Sequence, residues 1–451
     1  FYIVNCIFKK NFTYKIITYN NSIMNLNILN FLKNIRGNLI FYYLSFFFVL
    51  SLFSYVYYLS LNFTINYWVF SQAHINFFEG YVKRGVFGSI MIFLENYLHI
   101  EASYTFSIFF IIFNTINIIL FFKIIKQYSE NLILFIFLSL SPTLIMFSFN
   151  DLGGYQRFDI ISIFLILIHT HFCLKFRSFE ISEKSYKKFF NIFLIPGIFL
   201  SILVHEIQLW TILLHFILTK NIFQTFKIEK VKYIPRYLIL ILPVIFVFFY
   251  PVSDAVVIEM MNNISNRELW FDAIKVASQT KNNMAIVSYE LNTNFFNVYN
   301  LKINLFFLAM SIIPIHLFLY YFNKEKIIDL KNFKVYEMYF CFLPLISFFA
   351  IGDAGRWIHL ISLVTFANFA QFPYTHKSLN LNSNYKNILK FICLIFVLVY
   401  VFFIRLPHCC NLEAKNITIW GGLGQKFISA YHLLVKTDDD FYKLNKRFKK
   451  N

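Results

Sequence analysis

The chain has 451 residues, of which 58% are hydrophobic and only 14% are charged. This balance is too apolar for a soluble multidomain protein of such length, and it excludes that class. The formal net charge of +18 would suit a nucleic-acid ligand, but the Lys and Arg residues lie in short loops between apolar runs, which is where membrane topology places them. We therefore expect no nucleic-acid partner.

Apolar runs of about 17 to 24 residues recur along the chain, and each can cross a hydrocarbon core of ~30 Å as a helix. They predict an all-α fold, a polytopic transmembrane helix bundle of about 11 spans. The predicted parts are a cytoplasmic N-terminal segment, 1–37, a transmembrane domain, 38–405, and a polar C-terminal tail, 406–451. Residues 1–23 show no targeting pattern, and Met24 is an alternative native start because a clean span follows it.

The first predicted span, 38–61, leads into a polar loop and then into a short apolar stretch, 86–98. That stretch is too short to span comfortably, so it is predicted to be a re-entrant or amphipathic helix at the membrane interface. Three spans are predicted next, over 103–124, 131–149 and 159–174. His169 and His171 lie toward the far end of the last of these and are predicted to be incidental.

The apolar stretch 189–219 is too long for one ordinary span and would bury His205 and Glu206 at mid-membrane. It therefore predicts a tight hairpin of two helices, 189–204 and 207–219, with His205-Glu206 at its tip. A seventh span ends near Val252, and a larger outer loop over 253–303 is predicted to form a small helical cap. The last predicted spans cover 304–322, 335–351, 357–372 and 389–404.

Loops on the N-terminal side of this alternation carry most of the Lys and Arg residues, which places the N-terminus in the cytoplasm. The side of the C-terminal tail depends on the number of spans. The polar clusters that topology does not explain then all fall on the outer face. They are Glu79–Gly88, 151–159, His205-Glu206, 253–303 and Asp353–Arg356.

These clusters contain four cations, Lys83, Arg84, Arg157 and Arg356, and the planar fork of arginine suits phosphate oxygens. The cations, together with Asp159 and Asp353, are therefore predicted to bind an anionic substrate. The alternative is that each arginine pairs with a carboxylate near it in sequence. Those local pairs would be Glu79 with Arg84, Asp151 or Asp159 with Arg157, and Asp353 with Arg356.

His205 and Glu206 are the best acid/base candidates, because histidine titrates near physiological pH and an attacking hydroxyl must lose a proton. Glu79 and Asp151 are further candidate bases or metal ligands. No pair has the spacing of a metal motif, so no cofactor is predicted and a divalent metal is left open. His359 lies one helical turn after Arg356 and is expected to share the substrate site.

The loop Tyr81-Val-Lys-Arg-Gly85, the His205-Glu206 tip, the motif Gly352-Asp-Ala-Gly-Arg-Trp357 and the long outer loop together resemble bacterial surface-polysaccharide proteins. These are the O-antigen and capsule polymerases, with larger relatives among glycosyltransferases of the GT-C fold. The resemblance implies an inner-membrane enzyme that joins a sugar hydroxyl to an undecaprenyl-pyrophosphate-linked glycan, alongside polysaccharide-assembly partners. Arg84, Arg157 and Arg356 would bind phosphate, and His205 or Glu206 would be the base.

The first outer loop departs from many metal-dependent GT-C enzymes, because it has Glu79 but no close Asp/Glu pair. That departure favours the metal-independent polymerase or ligase type. Two alternatives remain, a lipid or saccharide transporter or flippase and a non-catalytic assembly subunit. Transporters usually carry ionisable groups at mid-membrane on broken helices within repeated halves, whereas these clusters gather at one interface.

Overall fold

A computed structural model describes residues 39–54, 67–150, 157–225, 234–250, 252–264, 269, 274–275, 278, 298–322, 354–374, 383–404 and 406. These residues form helices and turns and contain no β-strand, which confirms the all-α prediction for the part of the chain described. Residues 1–44 and 45–451 form separate compact units. The predicted span 335–351 and the tail from 407 onward lie outside the described residues.

We number the helices in chain order. The first seven are α1 Leu39–Ser54, α2 Tyr67–Gln72, α3 Gly85–Leu98, α4 Ala102–Ile125, α5 Leu132–Leu140, α6 Phe147–Asn150 and α7 Asp159–Arg177. The next five are α8 Glu183–Lys188, α9 Ile195–Val204, α10 Ile212–Thr225, α11 Ile234–Leu238 and α12 Ile241–Phe249. The last four are α13 Asp254–Asn263, α14 Val298–Phe322, α15 Ala354–Ala370 and α16 Ser383–Phe403. A π-helical turn, Phe189–Leu194, joins α8 to α9, and a 3-10 helix, Glu206–Thr211, precedes α10.

Three described segments are long and apolar enough to cross a membrane: Ala102–Tyr128, Asp159–Arg177 and Glu183–Val204. Along α4, large apolar side chains at Tyr104, Ile108 and Ile112 are exposed at intervals of one helical turn. A stripe of this kind suits contact with lipid better than contact with water. The length of these segments and the apolar exterior support an association with a membrane, while the total of 11 spans stays a prediction.

Four helices, α4, α7, α10 and α15, run in the same direction. Two contacts show this for α7 and α10. Ser162, in the first turn of α7, bonds Gln208 in the 3-10 helix before α10, and His169, farther along α7, bonds His215 in α10. Helix α15 is also parallel to α7. Arg356, in its first turn, contacts the start of α7, and Gln371, directly after its end, accepts a hydrogen bond from Arg177 at the end of α7. We call the end of the bundle where α7 begins the Asp159 end, and the opposite end the Arg177 end.

The predicted hairpin around His205 is present. Tyr186 of α8 lies against His169 near the Arg177 end, whereas His205 after α9 lies beside Phe158 at the Asp159 end, with ring centroids 6.2 Å apart. The chain then turns back through the 3-10 helix into α10, parallel to α7. His205 adopts an extended conformation, with φ −159° and ψ 124°, which ends α9.

The single span predicted over 131–149 is wrong, because the helix breaks in the middle. α5 ends at Leu140, a turn follows over 142–146, and α6 is a separate four-residue turn of helix. Pro142 explains the break, since proline has no N–H to donate and pushes the residue before it out of the helical region. Ser141 accordingly has ψ 123°. The seventh predicted span, which ends near Val252, is also interrupted, at residues 239–240 between α11 and α12.

Helix α15 lies at the centre of the described bundle. Every residue from Gly355 to Gln371 is buried except Arg356, which is partly exposed. The helix packs against α14 and α7. A helix that is apolar on all sides suits this position, but α15 also carries buried polar residues at three-residue intervals: His359, Ser362, Thr365, Asn368 and Gln371.

The loop between α2 and α3 packs against α13, which belongs to the predicted cap. Ile75 and Val82 of the loop share a hydrophobic cluster with Val257 and Met260 of α13. The start of α3 approaches this loop so closely that a Cβ atom at Gly88 would lie 2.0 Å from the carbonyl oxygen of Ile75. Glycine is therefore the residue that permits this approach.

We predict that Gly88→Ala destabilises the protein by about 1–3 kcal/mol, because the added methyl group forces α3 away from the loop. Gly197→Ala is the matched control, since its Cβ would meet only a side-chain methyl of Leu165, at 3.2 Å. Thermal unfolding of the purified protein in detergent measures both. Equal midpoints for the two variants would contradict the role of Gly88.

Candidate functional site

Asp159 and Arg356 form an ion pair at the Asp159 end. The guanidinium group donates through Nε to one carboxylate oxygen and through one Nη to the other. The side chains are 8% exposed for Asp159 and 19% exposed for Arg356. Buried charges are tolerated when they are paired in this two-bond geometry. The pair therefore fixes the first turn of α7 against the first turn of α15.

Arg157 and His205 surround the same carboxylate. Both side chains are buried, and both lie within electrostatic range of Asp159. Phe158 contributes to their placement, because its ring faces His205 and its carbonyl accepts a hydrogen bond of 3.5 Å from Gln208 Nε2. Three of the predicted clusters thus meet at one place.

The cluster around Arg84 adjoins this group through two aromatic rings. Phe87 of α3 packs on Phe158, with ring centroids 5.1 Å apart. Arg84 caps the start of α3 in the left-handed region, with φ 60°, and its Nη1 donates to Gln72 Oε1 at 3.0 Å. Lys83 is 1% exposed, and its backbone N–H donates to the Ser278 carbonyl at 3.4 Å.

The three arginines share an unusual position, because each lies within three residues of a helix N-terminus: Arg84 at α3, Arg157 at α7 and Arg356 at α15. The positive end of the helix dipole disfavours a cation there. The free N–H groups of a helix N-terminus also attract anions. Arginines and helix dipoles therefore add their positive potentials at the Asp159 end.

His359 lies one helical turn deeper than Arg356. Its Nδ1 donates to the Thr143 carbonyl at 2.9 Å, and its ring stacks on Phe147 with centroids 4.5 Å apart. The ring is buried and within electrostatic range of Asp159. The structure thus places His359 beside the group of charges, as expected from its spacing after Arg356.

The other predicted site residues are placed differently or are not described. Glu79 accepts a hydrogen bond from the Asn263 side chain in the cap. Asp151 and Asp353 lie outside the described residues. Glu206 begins the 3-10 helix, and its side chain lies outside the described part. Arg356 pairs with Asp159, 197 residues away, and the alternative local partner, Asp353, is not among the described residues.

Tyr81, within the Glu79–Gly88 cluster, ties the loop to α12. Its hydroxyl donates to the Phe246 carbonyl at 2.6 Å, and its ring contacts Tyr250 with centroids 4.9 Å apart. Burial, and to a smaller extent Tyr250, raises the pKa of Tyr81 to about 12. The phenol therefore keeps its proton at physiological pH and acts as a hydrogen-bond donor that holds the loop.

A second polar cluster lies toward the Arg177 end. His169 Nδ1 is 3.0 Å from His215 Nδ1, and His169 Nε2 is 3.0 Å from the Tyr186 hydroxyl. Cys173 Sγ lies 3.7 Å from the same hydroxyl. All four residues are fully buried. His169 therefore links three helices through buried polar contacts, away from the Asp159 end, and its incidental role with respect to the substrate site stays a prediction.

A sequence signal for this cluster exists. Asp159 and His205, Ser162 and Gln208, and His169 and His215 are each separated by 46 residues. Three polar pairs at one constant separation are typical of two parallel helices in register. The separation becomes meaningful only once α7 and α10 are known to run in the same direction.

Among the residues described, no group of three or more His, Cys, Asp or Glu side chains is arranged to hold a metal ion. The described part of the candidate site is built from arginine, histidine and the Asp159 carboxylate, which are groups that bind anions and transfer protons. Its aromatic neighbours, Phe87 and Phe158, limit the access of water to these charges.

The sequence matches no protein-family model, no curated protein and no solved structure. The class that the fold defines is an all-helical protein with helices able to cross a membrane.

We predict that Arg356→Gln destabilises the protein by about 3–5 kcal/mol, because Asp159 keeps a buried charge without its main partner. Combining Arg356→Gln with Asp159→Asn removes both charges, so the double variant is expected to be more stable than Arg356→Gln alone. Thermal unfolding in detergent measures the whole double-mutant cycle. Additive effects of the two substitutions would contradict the pair.

We also predict that His169→Leu lowers stability by about 1–3 kcal/mol for each buried polar group that it leaves unpaired. The group left unpaired is His215 Nδ1, while Tyr186 Oη loses one partner and keeps its contact with Cys173 Sγ. His171→Leu, two residues further along the same helix and less buried, serves as the control and should have a smaller effect. If both variants unfold at the same temperature, the buried cluster contributes nothing specific.

Proposed function

We propose that this chain is a polytopic membrane glycosyltransferase or polymerase acting on a polyprenyl-pyrophosphate-linked saccharide. It would work at the outer face of a bacterial inner membrane, in surface-polysaccharide assembly. The observation that carries the proposal is the gathering of Arg84, Arg157 and Arg356 at helix N-termini beside two buried histidines. No nucleic acid and no resident cofactor are part of it.

A pyrophosphate leaving group matches the charge of the Asp159 end. Arg356 uses two of its five N–H donors on Asp159, which leaves three for phosphate oxygens. The carboxylate holds the guanidinium in one orientation, so little reorganisation accompanies the departure of the pyrophosphate. Such preorganised donors are typically worth 10²–10³ in rate each.

A hydroxyl nucleophile needs a base close to these arginines. Two histidines satisfy that requirement, His205 and His359, and both lie within electrostatic range of Asp159. A negative charge nearby stabilises the imidazolium that forms when a histidine takes a proton. The Asp159 end therefore combines leaving-group stabilisation with general-base catalysis.

The distribution of Lys and Arg residues supports a topology in which the Asp159 end of the bundle faces the outside of the membrane. Cations near the ends of the described helices gather at the Arg177 end, among them Lys123, Lys126, Lys175, Lys187 and Lys188. Positive loops face the cytoplasm in most inner-membrane proteins. The proposed topology therefore has about 11 spans, a cytoplasmic N-terminus and the candidate site facing outward, where membrane lipid and polysaccharide-assembly partners would meet it.

A lipid or saccharide transporter is the second candidate function, and two observations favour it. The helix broken at Ser141-Pro142 exposes backbone carbonyls inside the bundle, as transporter binding sites often do. Buried polar residues also continue along α15 from His359 to Gln371, toward the Arg177 end. A carrier would use such a polar face as part of a path through the membrane.

We expect purified protein in detergent to extend lipid-linked oligosaccharide and to release polyprenyl pyrophosphate. Arg84→Gln and Arg157→Gln should each lower turnover about 10²–10³-fold, because each removes a donor to the pyrophosphate. Arg236→Gln is the matched control, since this arginine bonds Asn191 at the Arg177 end. A parallel reaction with chelator measures whether a divalent metal takes part.

Absence of turnover by folded wild-type protein with any extracted lipid-linked donor would contradict the transferase. Uptake of the same lipid-linked saccharide into proteoliposomes would then support the transporter. Equal losses in Arg236→Gln and the two site variants would show that turnover responds to positive charge in general and not to the Asp159 end.

A further inference from the structure

The tautomer of His359 is determined by its surroundings. Nδ1 lies 2.9 Å from the Thr143 carbonyl oxygen, and a carbonyl oxygen can only accept. Nδ1 therefore carries the proton, and the neutral ring presents a bare lone pair at Nε2. Stacking on Phe147, at an interplanar angle of 20°, prevents the ring from turning that lone pair elsewhere.

Nε2 of His359 has no hydrogen-bond partner among the residues that the structure describes. The side chain is 2% exposed, so water does not reach this acceptor freely. A buried acceptor left unpaired costs about 1–3 kcal/mol. Such a group, fixed in direction and beside the site, points to a ligand that donates a hydrogen bond.

The surroundings of His359 Nε2 indicate which kind of ligand group donates a hydrogen bond to it. Arg356 lies one turn earlier on α15, and its partner Asp159 is within electrostatic range of the His359 ring. The negative charge of Asp159 disfavours an anionic ligand group at Nε2 itself and offsets part of the cost that burial imposes on a positive ring. A neutral hydroxyl that gives up its proton satisfies both conditions.

We propose that His359 Nε2 accepts the hydroxyl of the acceptor sugar and is the general base of the transfer, in place of His205; this rests on the proposed function. The hydroxyl proton moves to Nε2 as the oxygen forms a bond to the anomeric carbon of the donor. The bond between that carbon and the pyrophosphate oxygen breaks, and its electron pair leaves with the pyrophosphate, next to the arginines. The imidazolium formed keeps its Nδ1 bond to Thr143.

The test compares two substitutions of His359, each of which reproduces the hydrogen-bonding position of one ring nitrogen and removes the other. His359→Asn places an amide N–H near the position of Nδ1, so it keeps the bond to Thr143 and loses the acceptor at Nε2. It should unfold close to the wild-type temperature and bind lipid-linked donor, while turnover falls about 10²–10⁴-fold. The acid limb of the pH–rate profile, which reports protonation of the base, should disappear from the remaining activity.

His359→Gln is the second variant, because its amide reaches the position of Nε2 and can accept a hydroxyl but cannot take up a proton. His359→Gln is expected to bind donor and acceptor and to lose turnover to the same extent as His359→Asn. If His359→Asn does not fold, His359→Gln alone tests whether His359 is the general base. Wild-type turnover with an unchanged acid limb in either folded variant overturns the role of His359 and leaves the transferase standing. Absence of turnover in the wild type overturns both.

Discussion

The ion pair between Asp159 and Arg356 is the constraint on which the described architecture depends. Two charges placed in an apolar bundle are each costly, and only their direct contact makes them tolerable. Because the residues begin α7 and α15, the contact aligns the N-termini of two helices that are 197 residues apart in sequence. The same contact fixes the direction of α15, the central helix, and gathers Arg157, His205 and His359 around one carboxylate.

The break at Ser141-Pro142 connects this pair to the chemistry proposed for His359. A continuous helix would use the Thr143 carbonyl for its own hydrogen bonding, whereas the turn over 142–146 leaves it free to accept from His359 Nδ1. Buried hydroxyls fill the same turn, since Ser141 bonds Thr143 and Thr143 bonds Tyr400. Pro142 thus determines the tautomer of His359 on another helix, because it leaves the Thr143 carbonyl available to accept a hydrogen bond from Nδ1.

Much of the helical fold could be predicted from the sequence, and so could the end of the bundle where the polar groups meet. Apolar run lengths predicted α4, α7 and the hairpin at His205, because span length is a physical requirement of the bilayer. The pairing of Arg356 with Asp159 could not be predicted, because it depends on how helices 197 residues apart in sequence pack together. The same reason hid the His169 and His215 pair, whose contact requires α7 and α10 to be parallel.

The ion pair also bears on the choice between catalysis and transport. A carrier that alternates between two faces must move helices past one another around its site. Separating α7 from α15 would break the pair, and each charge would then have to be solvated or left buried without its partner. An enzyme gains from the same rigidity, because donors held in one orientation stabilise a leaving group without reorganisation. The rigidity of this ion pair therefore supports the proposed transfer of a sugar over the alternative proposal, its passage across the membrane.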